Sequence, residues 1–78
     1  MPPMLTRADY LHWLEHTNQN ISRVEGCISQ QSALVERLPI DSKSIVEAKE
    51  VLLLFSELLS FLYERRESLL RELGILSK

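Results

Sequence analysis

The chain has 78 residues, nine of them basic, eleven acidic and one a cysteine, for a net charge of −2. That length allows one small domain whose lone core is marginal, and one cysteine excludes an internal disulfide as its staple. Acids and bases are interspersed, without the basic run that most nucleic-acid binders carry.

The opening Met1-Pro2-Pro3-Met4 has neither a basic stretch nor a long apolar one, so no signal peptide is expected. With a single thiol, this points to a reducing cytoplasm. Pro2-Pro3 is too short for a polyproline ligand.

A first helix is expected over residues 6–38. Thr6 can cap it, with Asp9 placed for the exposed amides of the first turn. Pro39 should end it, because proline disfavours helical geometry in the preceding residue. Its seam reads Tyr10, Leu14, Thr17, Ile21, Val24, Ile28, Gln31, Val35 and Leu38, with Trp13, Cys27 and Leu34 beside it. Thr17 and Gln31 interrupt this seam, and polar seam residues can set register at some cost in stability.

Three features of this helix bear on chemistry. His12-Trp13-Leu14-Glu15-His16 matches H-x-x-E-H, the zinc motif of one peptidase class. The mechanism needs a third ligand and a cleft, yet the chain has only these two histidines and no second domain. The helix register turns both outward, so a solvated face is expected, with adventitious metal binding beside Asp9 as the alternative. Cys27 has neither histidine within two turns to activate it and reads as a packing residue at the seam edge. Gly26 falls on the outer face, where it costs about 1 kcal/mol relative to alanine. Tyr10 and Trp13 read as an aromatic end plug. No catalytic residue, cofactor site or metal site is assigned, and the chain is not expected to be an enzyme.

Residues 39–44 form the predicted turn. Ser44 and Glu47 have the spacing of a capping box for a second helix over residues 45–73, with Gly74 as its C-cap. Residues 1–5 and 75–78 are expected to be flexible. Each helix is then about 30 residues, roughly 45 Å at 1.5 Å per residue. Matched lengths and a short turn predict an all-α, antiparallel two-helix hairpin.

The second helix carries a continuous ladder. Ile45, Ala48, Leu52, Phe55, Leu59, Leu62, Arg66, Leu69 and Leu73 follow steps of three and four, and only Arg66 is not apolar. Such steps average 3.5 residues, the repeat that keeps one seam against a neighbouring helix. Glu50, Glu57, Glu64 and Arg71 form the opposite, solvent row. Val51, Leu54, Leu58 and Phe61 form a second apolar row beside the ladder, and Leu53 and Tyr63 widen it. Ten of the thirteen residues 51–63 are apolar, but a membrane span needs about 20, and Glu57 interrupts this run. Arg66 and Arg65 should snorkel and pair with Glu67, Glu64 or a partner's acid, an anion or partner site being the alternative. Glu67 and Arg71 have favourable i,i+4 spacing.

One facing helix cannot cover so wide an apolar face. The expectation is a homodimer in which two hairpins pair into a four-helix bundle through Val51, Leu54, Phe55, Leu58, Phe61 and Leu62. A heteromeric adaptor, chaperone or antitoxin-like module docking that face on another protein is the alternative. An RNA-binding helical bundle is a more remote one, disfavoured by the acidic balance.

Three segments carry a family likeness: Gln31-Ser32-Ala33-Leu34-Val35-Glu36-Arg37-Leu38; Glu47-Ala48-Lys49 continuing through Leu52 to Phe55; and Leu69-Leu70-Arg71-Glu72-Leu73-Gly74. Over residues 28–74 the chain resembles small helical-hairpin proteins of rhizobia and related bacteria, which carry no assigned function. The resemblance implies a hairpin and no particular activity. The chain departs from that group at Asp41-Ser42-Lys43-Ser44, where the group tends to have an Asp-Gly-His-Asp type of connection, and in its more apolar residues 51–61.

Overall fold

The computed structural model describes residues 5–76. Two helices, α1 (Arg7–Arg37) and α2 (Lys43–Leu76), pack against each other as a hairpin. The molecule measures 57 × 21 × 15 Å, with a radius of gyration of 17.6 Å. A globular domain of this length would have a radius near 11–12 Å. Among the described residues the hairpin is thus two helices wide and one thick.

The start of α1 follows its sequence. Thr6 is extended and its hydroxyl accepts from the Asp9 amide at 3.2 Å, while the Asp9 carboxylate accepts from the Thr6 amide at 2.9 Å. This is a complete capping box. At the other end Leu38 is extended ahead of Pro39, and its amide still donates to the Leu34 carbonyl.

The connection differs from expectation. α2 begins at Lys43, so Ser44 lies inside the helix rather than at its cap. Ser42 turns back instead: its amide and its hydroxyl both donate to the Pro39 carbonyl, at 3.1 and 2.8 Å. The side chain thereby closes the turn one residue before α2, and helical geometry starts earlier than the Ser44-Glu47 spacing implied. Gly74 is also corrected. The helix runs through it to Leu76, and no glycine among the described residues has a positive φ, so it is not a left-handed C-cap. Ile75 is likewise helical, while residues 1–4, 77 and 78, expected to be flexible, lie outside the described residues.

The ladder accounts for the core. Ile45, Ala48, Leu62, Leu69 and Leu73 are buried; Leu52, Phe55, Leu59 and Arg66 are half-buried. Every other described side chain of α2 is exposed. On α1, Thr17, Ile21 and Val24 are buried, and the remaining seam residues are half-buried. Ile21, Val24 and Leu62 form the central cluster, with Ile28, Phe55 and Leu59 packed on it.

The polar seam residues are satisfied internally. Thr17, only 3% exposed, donates to the Trp13 carbonyl one turn back at 2.8 Å. Gln31 reaches across the hairpin, and its Nε2 donates to the Ala48 carbonyl at 2.9 Å. The small alanine opposite leaves room for the amide, so the polar position links the two helices instead of leaving a buried donor unmet.

Two stability outcomes follow. Ile21→Ala should cost about 2–5 kcal/mol in denaturant unfolding at fixed protein concentration, by losing burial and leaving a cavity. Gly26→Ala should stabilise by about 0.5–1 kcal/mol, since a Cβ there meets nothing within 4 Å and the helix loses its most flexible residue. An unchanged or lowered melting temperature for Gly26→Ala would mean that this outer position is occupied in solution.

Candidate functional site

An extended apolar surface that the α1–α2 packing leaves open lies on α2. Val51, Leu54, Leu58 and Phe61 are 39%, 63%, 44% and 59% exposed. They recur in steps of three and four beside the ladder, so they form a row along one side of the helix rather than scattered residues. The row is bounded by charge. Glu47 lies four residues before Val51 and Arg65 four residues after Phe61, both exposed on the same row. Large apolar side chains grouped this way are uncommon on a free surface and mark contact sites.

Of the six residues assigned to an interface from the sequence, these four are exposed. Phe55 and Leu62 are not: Leu62 is 7% exposed and belongs to the central cluster, and Phe55 packs against that cluster. Both sit on the ladder, whose positions face α1, and they are therefore intrachain core. Leu53 and Tyr63 are exposed at 60% and 36%, and Leu34, placed beside the α1 seam, is exposed at 38%.

Arg66 has a contact with no signal in the heptad pattern. Its guanidinium lies over the Tyr63 ring, 5.1 Å from the centroid. Arg66 is half-buried at its ladder position with its charge on an aromatic face.

The histidine motif lies on an open face of α1. His12 and His16 are exposed, one turn apart, with ring centroids at 5.1 Å and planes at 75°. Among the described residues, no group of three or more His, Cys, Asp or Glu could hold a metal ion. Asp9 is committed elsewhere. The Thr6 amide, then the Thr6 hydroxyl, hold its carboxylate below the ordinary 3.8, and the charge of His12 adds to this. A shallow depression of about 460 Å³ is lined by Leu11, Leu14, Glu15, Asn18, Gln19 and Ser22. All six come from α1, so it has no opposing wall and neither histidine lines it. Tyr10 and Trp13 pack edge to face at 5.5 Å, half-buried near the start of α1. The Cys27 thiol is free and half-buried. Among the described residues, no helix is long and apolar enough to cross a membrane.

No protein-family model, curated protein or solved structure matches the chain.

The Asp9 geometry fixes a pH dependence. A carboxylate with a depressed native pKa stabilises the fold above its unfolded value near 3.8, and this is lost as pH falls through the native value. Asp9→Asn should therefore narrow the stability gap to the parent protein as pH drops below about 4, in thermal melts followed by circular dichroism. A gap that is constant from pH 6 to pH 2 would contradict the capping role of the ionised group.

Proposed function

We propose that the chain is a small cytoplasmic, non-enzymatic interaction protein whose hairpin pairs with a second copy through the exposed row of α2, completing a four-helix bundle. The observation that carries this reading is the exposure of Val51, Leu54, Leu58 and Phe61 as one continuous row, unrelated to the packing of α1 on α2. Burying a row of this kind stabilises by about 25 cal/mol per Å² of apolar surface. A two-helix hairpin with a thin core has little other means of reaching the stability of a folded domain. A homodimer also supplies stabilisation that a single cysteine cannot give as an internal disulfide.

The same face could instead receive a different protein, in the manner of an adaptor or an antitoxin. Behaviour of the isolated chain separates the two, because self-pairing requires no other component.

The test is Leu58→Glu with Phe61→Glu. Both side chains are exposed in the hairpin, so the double variant disturbs the α1–α2 core little and acts on the row itself. It should run at the monomer mass on a sizing column with light scattering, and melt at a lower temperature than the parent. A dimer of unchanged mass and melting temperature would overturn the reading.

A further inference from the structure

From the order of residues along the exposed row, we infer that the two copies of α2 meet antiparallel, about a two-fold axis at the level of Ser56, with Glu47 of each copy opposite Arg65 of the other. This rests on the self-association proposed above and gives it a direction and a register.

The row reads Glu47, Val51, Leu54, Leu58, Phe61, Arg65, in steps of four, three, four, three and four. The steps are the same read from either end, so the row is its own complement when one helix is reversed. About the level of Ser56, Leu54 comes opposite Leu58, Val51 opposite Phe61, and Glu47 opposite Arg65. Each pairing occurs twice, as a two-fold axis requires. The apolar pairs lie inside and the charges close both ends. A small β-branched side chain faces a large ring, which suits interdigitated packing.

The alternatives are poorer on the same residues. A parallel pairing in register sets Glu47 against Glu47 and Arg65 against Arg65, like charges at both ends, which is destabilising. Sliding the antiparallel pair by one heptad sets a charge against an apolar residue at two places. Towards the start of α2, Glu47 meets Leu58; towards its end, Leu54 meets Arg65. Of these arrangements, only the register at Ser56 matches apolar with apolar and acid with base along the row. Ser56 itself is on the far side of the helix, its hydroxyl donating to the Leu52 carbonyl at 3.0 Å, so it marks the level of the axis and makes no contact there.

Disulfide trapping tests this in a Cys27→Ser background, with one protein carrying Glu47→Cys and a second carrying Arg65→Cys. Both are exposed positions that leave the core intact. In the antiparallel register the new thiols meet only across a mixed dimer, whose other end keeps a natural Glu47–Arg65 pair. Two copies of residue 47 would be about 27 Å apart along the axis. Each protein alone should cross-link at the background rate of a Lys49→Cys control, an exposed position about 160° around the helix from the row. The mixture should cross-link at least about tenfold faster, as expected when two groups are held at millimolar effective concentration. Rapid cross-linking of either protein alone would overturn the antiparallel arrangement while leaving self-association standing. Parent protein at dimer mass with no mixed cross-link would overturn the register in the same way. Parent protein at monomer mass would overturn self-association, and this inference with it.

Discussion

Everything in this molecule depends on the burial of one 3-4 ladder of α2 against one facing helix. The ladder from Ile45 to Leu73 supplies every described side chain of α2 that is withdrawn from solvent. Because its repeat averages 3.5 residues, the seam stays on one side of the helix over its whole length, and the two helices remain in contact along a 57 Å molecule. The same geometry limits the fold. A single partner helix covers one seam only, so the neighbouring row of Val51, Leu54, Leu58 and Phe61 is left in water.

The core is narrow, and its polar members are built into it rather than tolerated. Thr17 closes a bond on its own helix, while Gln31 bonds across to the other. Of the two, only Gln31 ties α1 to a position along α2, so it can fix the register between them. Arg66 meets the same problem differently, placing its charge on the Tyr63 ring near the open end of the hairpin. An all-apolar seam of similar helices could slide by a heptad at small cost. Gln31, whose amide would lose the Ala48 carbonyl on sliding, makes such slippage unfavourable.

The hairpin was legible in the sequence because its signals are periodic and redundant. Nine ladder positions agree with one another, so no single substitution could hide the helix. The beginning and end of α1 were legible for a different reason. Thr6 with Asp9, and Leu38 before Pro39, each have one local arrangement that satisfies them. The start of α2 was not legible, because Ser42 and Ser44 flank Lys43 and either hydroxyl can serve a helix entry. The choice depends on the Pro39 carbonyl, which only the folded turn brings within reach of Ser42. Gly74 misled for a related reason. A glycine becomes a C-cap where the chain leaves the helix in the left-handed conformation, whereas Gly74 keeps helical geometry and α2 continues to Leu76. The exposed row was legible as apolar, but Phe55 and Leu62 were grouped with it. Periodicity shows that two rows adjoin; it takes the position of α1 to show which of them is already covered.

The mass of the parent chain in solution tests the central claim most directly. Light scattering on the eluted peak of a sizing column, with far-ultraviolet circular dichroism on the same fraction, reads assembly and helicity together. The account predicts a strongly helical species at twice the 9.1 kDa chain mass. A strongly helical, cooperatively melting species at 9.1 kDa would contradict it, for the hairpin would then be stable with its apolar row in water.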